Sequence, residues 1–270
     1  MSILNGHTDI NISPEMHILE PFWLHKDFVR RVEEEVGDLK NDKNIPKLIE
    51  LMKSQKLSGS FWNLVEIDEN RLLDQMINSD RSIKDIFHIL MINDAKSKNK
   101  NRIGAKFPVH FSYVSELIEW FPKCKVVHLV RDPRAIYASQ TAKMNNVVDS
   151  KIGYSLKNII VFSYINISCF WAGMMHKKYK NKSNYYVSRY EDVVLDPKIY
   201  ISKLCEFLNT EYSDKMLHPP VRDSSFNEKK PKDKGMNEEA VYRWKEKVHP
   251  VTALLIKSIN YRTMREFKYI

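Results

Sequence analysis

Lys125–Gln140 reads KVVHLVRDPRAIYASQ, and the order of its residues decides the fold. Lys125–Val130 is short, apolar and β-branched, as a buried parallel strand should be. It runs straight into Arg131-Asp132-Pro133-Arg134, where Asp132 suits a helix N-cap and Pro133 the first helical position. A strand end followed at once by a helix start points free backbone N–H groups and the helix dipole at an incoming anion. Arg131 adds a guanidinium fork suited to phosphate. Ser139 follows about two helical turns along. The residues alone leave two readings open. Arg131 and Ser139 hold an anion, or Arg131 pairs with a neighbouring carboxylate and Ser139 is a surface residue.

The pattern repeats on either side of this stretch. A second strand, Tyr185–Ser188, leads into Arg189-Tyr190-Glu191-Asp192, with a helix from Pro197 to Leu208. Upstream, residues 22–55 and 68–95 have helical spacing, with Ile45, Leu48, Ile49 and Met52 three and four apart. Arg102–Pro108 reads as a strand and loop, and Ser112–Phe121 as an amphipathic helix stopping before Pro122. Residues 222–236 form a polar loop, and the tail from Glu238 is helical. Alternating helices and strands predict a layered α/β fold.

The chain has 270 residues, 43% apolar and 29% charged, which supports one sizeable core and excludes a wholly disordered chain. A formal net charge of +9 favours an anionic partner without choosing among nucleotide, nucleic acid, anionic lipid and acidic glycan. Cys124, Cys169 and Cys205 lie far apart with no CxxC pairing, which argues against a disulfide framework and a zinc site and fits a cytoplasmic setting. Asn158–Met175 (NIIVFSYINISCFWAGMM) carries no charge and reaches the lower edge of membrane-spanning length. Asn158, Ser163, Asn166 and Ser168 are costly in hydrocarbon, so a buried core helix is the preferred reading.

KVVHLVRDPRAIYASQ resembles the 3′-phosphate-binding signature of the sulfotransferase family, and the likeness extends along most of the chain. YYVSRYEDVVLDP resembles that family's RYEDLVLDP segment, RIGAKFPVH its GEKTPxH segment, and RWKEKV its C-terminal RW helix. The resemblance implies a three-layer fold like that of P-loop kinases, with a central parallel sheet. It implies a 3′-phosphoadenosine 5′-phosphosulfate donor, no metal, and a hydroxyl-bearing acceptor such as a glycan or lipid. Arg131 and Ser139 would hold the 3′-phosphate, and Tyr190 would border the adenine. Ser225-Phe226 and Lys234-Gly235 would belong to the loop over the nucleotide. HTDINISPE resembles the HPDVxxxxE stretch of the tyrosylprotein and carbohydrate branches, which puts Glu15 at the general base, the alternative being a helix cap. Lys106 would steady the transferring sulfuryl group. Pro108 stands where the phenol- and steroid-type branch has its basic His, and His110 is two residues too far along. His17 replaces a substrate-contacting Arg of the tyrosylprotein enzymes. Trp171 fits the Trp of the helix before the RYED strand, which agrees with a core helix there.

The family's opening strand and its PRSGTT-like 5′-phosphosulfate loop have no counterpart, since none of the seven glycines lies in such a pattern. GxxxxGK[ST] is absent too, against a nucleoside-triphosphate kinase. The expectation is one sulfotransferase-like domain over 1–270 that begins late in the family pattern. Two other readings stay open: a 3′-phosphoadenosine-nucleotide binder without transfer activity, and a basic nucleic-acid binder. The last is disfavoured by lysines scattered among acids and by the lack of an aromatic stacking motif.

Overall fold

The computed structural model describes residues 1–16, 18–19, 28–54, 61–106, 108–147, 154–219 and 235–270. They divide into two compact units, Met1–Cys124 and Lys125–Ile270.

In the first unit, β1 (Ile10–Ser13) is followed by α1 (Phe28–Glu35), α2 (Ile45–Lys53), α3 (Glu69–Ile77) and α4 (Ile83–Ser97). β2 (Arg102–Ala105) and α5 (Val114–Trp120) complete it. The expected long helices are each broken. Gly37, at φ +94°, turns the chain between α1 and α2, and Arg81, at φ +59°, does so between α3 and α4. Arg81 offsets its unfavourable backbone by donating to the carbonyls of Leu39, Lys40 and Ile77 and pairing with Asp42. Asp68 and Ser82 cap α3 and α4 by accepting backbone N–H groups. Ile45, Leu48, Ile49 and Met52 form one buried face, as their spacing predicts, and pack into the same core as Leu72 and Phe87.

β1 has no counterpart in the reading from sequence. It pairs in parallel with β2, from Ile10 opposite Arg102 to Ser13 opposite Ala105. Its polar residues face inward: Asn11 and Ser13 are buried because both donate 2.6 Å hydrogen bonds to Asp94 Oδ2 on α4. Lys98 Nζ supplies the other Asp94 oxygen at 2.5 Å. The four residues of β1, INIS, do alternate, but it is their polar side that meets a buried carboxylate, the reverse of the usual apolar-in pattern.

The second unit contains β3 (Val126–Val130), α6 (Pro133–Val147), α7 (Tyr154–Tyr179) and β4 (Tyr185–Arg189). Beyond these lie α8 (Tyr190–Leu195), α9 (Pro197–Leu208), α10 (Pro250–Ile259) and α11 (Tyr261–Glu266). β3 and β4 are parallel and in register from Val126 opposite Tyr185 to Val130 opposite Arg189. The expected central parallel sheet is therefore present as two two-stranded parallel ladders among the described residues. β3 is also less buried than expected. Leu129 is 59% exposed.

α7 corrects a second expectation. It is the one described helix long and apolar enough to cross a membrane, yet only 11% of its apolar window is buried. Val161 and Ile165 face inward, while Trp171 is 42% exposed, so the helix is core on one side only. A Cβ on Gly173 would come within 2.5 Å of Thr263 Oγ1, so the glycine is what allows α7 and α11 to touch.

His128 on β3 is enclosed by Tyr185 and Phe267, with Nδ1 2.5 Å from the Tyr185 hydroxyl. Burial, then the nearby His176, lowers its pKa from 6.5 to about 4. A depressed folded value means the neutral ring favours folding. That contribution is complete above pH 6.5 and disappears as pH falls toward about 4, a change on the order of a few kcal/mol. In melts across this range, His128→Gln should flatten the loss of Tm relative to the parent chain.

Candidate active site

Each parallel ladder brings two candidate site residues together just past its carboxyl end, Glu15 with Lys106 in the first and Arg131 with Tyr190 in the second. Open α/β sheets bind ligands at such carboxyl-terminal ends. In the second unit, the register of Val130 with Arg189 makes the next residues, Arg131 and Tyr190, neighbours. The Arg131 guanidinium lies 4.3 Å from the centre of the Tyr190 ring, and its Nη2 donates to the Ala240 carbonyl at 3.0 Å. Its Nε is buried and has no hydrogen-bond partner among the described residues.

The nearby carboxylates are otherwise engaged. Asp132 accepts the Arg134 backbone N–H at 2.9 Å, confirming its N-cap role, and pairs with the Arg134 guanidinium at 2.6 Å. Arg134 also lies 4.0 Å from the Trp244 ring centre, on the segment read as the RW helix. Asp192 pairs with Arg189 at 3.0 Å. Glu191 accepts the Asp132 backbone N–H at 2.9 Å and the Tyr269 hydroxyl at 3.0 Å. Arg131 is therefore in no ion pair among the described residues. No described carboxylate takes Arg131, whose guanidinium has the fork geometry that an anion would accept.

Ser139 lies on α6, half-buried, about two turns past Pro133. Gly235 has φ +116°, a left-handed conformation that suits glycine, and donates its N–H to Pro219 O at 3.1 Å. Ser225, Phe226, Lys234 and His17 lie outside the described residues.

In the first unit, the register of Ser13 with Ala105 brings the strand exits together, and Glu15 Oε1 meets Lys106 Nζ at 2.5 Å. The Glu15 carboxylate thus faces a cation. His7 and Asp9 act before the strand. His7 Nδ1 accepts the Asp9 N–H, and Asp9 Oδ1 accepts both the backbone and side-chain N–H of Asn101, which sets the register of β1 against β2. The Asn101 side-chain hydrogen bond leads in holding the Asp9 carboxyl below its ordinary range. The Asp94 anchor under β1 escaped the reading from sequence, because α4 looks like any amphipathic helix.

A model of the sulfotransferase family matches residues 1–214. The chain belongs to the sulfotransferase family. It is an enzyme of the sulfotransferase class, and five of the expected site residues, Glu15, Lys106, Arg131, Ser139 and Tyr190, fall within the match. Among solved structures, the chain resembles the sulfotransferase domain from the curacin biosynthetic pathway. The TM-score is 0.54 at 17% identity, over 95% of this chain and 90% of that one. It also resembles the sulfotransferase domain of the Synechococcus PCC 7002 olefin synthase, with TM-score 0.54 and 18% identity, over 95% and 87%. At these identities the likeness concerns the fold. No curated protein matches.

Asp94 offers a direct check on how the first sulfotransferase ladder is held. Asp94→Ala leaves the buried Asn11 and Ser13 groups without their acceptor and should cost about 1.5–3 kcal/mol in urea unfolding. Ser97→Ala, on the same helix, serves as the control.

Proposed function

We propose that this sulfotransferase uses 3′-phosphoadenosine 5′-phosphosulfate as donor and a hydroxyl group as acceptor. The observation that carries the reading is Arg131, stacked on Tyr190 at the end of a parallel ladder, with a buried Nε and, among the described residues, no carboxylate or Nε partner. A half-buried guanidinium with a buried, unsatisfied Nε is costly, and a phosphate answers both its charge and its fork geometry.

Each residue has a separate task. Arg131 holds the 3′-phosphate, and the Ser139 hydroxyl adds a hydrogen bond to it. Tyr190 offers its ring beside the adenine, with Gly235 contributing to the nucleotide site. The donor supplies the sulfuryl group: the acceptor oxygen forms a bond to sulfur as the sulfur–phosphate oxygen bond breaks, and 3′-phosphoadenosine 5′-phosphate leaves. Glu15 takes the proton of the acceptor hydroxyl on its carboxylate. Lys106, which meets that carboxylate at 2.5 Å, orients it and offers an ammonium to the sulfuryl oxygens. The reading treats residues 1–270 as one functional domain acting on a glycan, lipid or other hydroxyl-bearing acceptor.

Calorimetric titration with 3′-phosphoadenosine 5′-phosphate, against adenosine 5′-phosphate as control, tests the donor. Arg131→Ala should weaken the 3′-phosphorylated ligand roughly 10- to 100-fold and leave the control unchanged. Equal affinity of the parent chain for both nucleotides would refute the assignment. In transfer assays with radiolabelled donor, Glu15→Gln should lower kcat on the order of 100-fold without altering nucleotide affinity.

A further inference from the structure

The 26-residue helix α7 carries no acidic residue. Leu156, Ile160, Ile167, Phe170, Trp171 and Met174 are all between 42% and 59% exposed. At ~100° per residue they fall within a single arc of about 120°. The arc does not end in an apolar residue: its next members are Lys177 and Lys178, both exposed. α10 adjoins α7 through a hydrogen bond from Asn260 to Asn166 and also lacks acids. Its Val251, Leu254, Leu255 and Ile259 are 49–61% exposed. Ten side chains of this kind, about half exposed, present on the order of 1,000 Å², beyond the few hundred Å² an ordinary monomer leaves in water.

The charges beside this face identify what it fits. Lys177, Lys178, Lys180, Arg262 and Arg265 lie at the carboxyl end of α7 and on α11. The acid among them, Glu266, is taken by Lys180 at 2.9 Å and His176 at 3.4 Å. The border is therefore net positive. A second copy would bring the same acid-free helices and could not complement it, whereas anionic phosphates can. An apolar stripe bearing Phe and Trp beside lysines is the pattern of a helix lying in a bilayer interface. A spanning arrangement conflicts with the packing of the opposite side, where Val161 and Ile165 are buried and Gly173 meets Thr263.

We propose that α7 and α10 form a peripheral docking face for an anionic phospholipid leaflet. The apolar stripe enters the acyl boundary, and Lys177, Lys178, Arg262 and Arg265 meet the lipid phosphates. This attachment is independent of which donor or acceptor the enzyme uses.

Co-sedimentation of the full chain tests it, with vesicles of phosphatidylcholine plus phosphatidylglycerol compared with phosphatidylcholine alone. The chain should pellet with the anionic vesicles and release as salt rises. Lys177→Gln combined with Lys178→Gln should weaken partition roughly 30-fold, at about fivefold per lysine near such a surface. Phe170→Glu should abolish partition while leaving the circular-dichroism melt in place; the lysine pair carries the test if that variant does not fold. Brominated lipid should quench tryptophan emission, and less so in Trp171→Phe. Three results would overturn the proposal: no pelleting with anionic vesicles, variants that pellet like the parent, or a dimer in sedimentation velocity that Phe170→Glu dissolves.

Discussion

The Glu191 carboxylate fixes the Lys125–Ile270 unit. It is buried, and its two oxygens take hydrogen bonds from two distant parts of the chain, the Asp132 amide and the Tyr269 hydroxyl. Bonds to a carboxylate contribute about 1.5–3 kcal/mol each, more than neutral ones. The first holds the turn between β3 and α6, where Arg131 sits. The second holds the Tyr269 ring against the Arg189 guanidinium, 4.8 Å away. Burial, reinforced by Glu191, raises the Tyr269 phenol well above its ordinary range, so its hydroxyl remains a donor.

Around that carboxylate, three arginines divide the work. Arg134 and Arg189 each have an acid, and each also stacks on an aromatic ring, Trp244 and Tyr269. Arg131 has the ring without the acid. The two structural pairs take up Asp132 and Asp192, which leaves Arg131 without an acid among the described residues. The first unit follows another logic, in which the two charged strand exits, Glu15 and Lys106, meet each other.

The second ladder was readable because its physics is local. A β-branched strand, an Asx cap and a proline stand next to one another in Lys125–Gln140, and the structure keeps them in order. The α2 face was readable for the same reason, through its spacing. What escaped depends on partners remote in sequence. β1 exists because Asp94 lies beneath it, 83 positions from Asn11. Tyr269 matters because it reaches Glu191, 78 positions away. The apolar run of α7 was visible, but composition alone could not say which of its sides the fold covers. The contact between Glu15 and Lys106 required the register of β1 with β2, which no motif encodes.

The same remoteness has a kinetic side. Asp9 meets Asn101 across 92 positions, and Asp132 meets Glu191 across 59. Closing loops of that length costs entropy before any ladder bond returns it, so parallel pairs of this kind form late in folding. The helices between them can assemble from local contacts first. The strand exits that carry Glu15, Lys106, Arg131 and Tyr190 are then among the last parts to become ordered, and a partly folded chain would hold most of its helix content before either pair of exits is brought together.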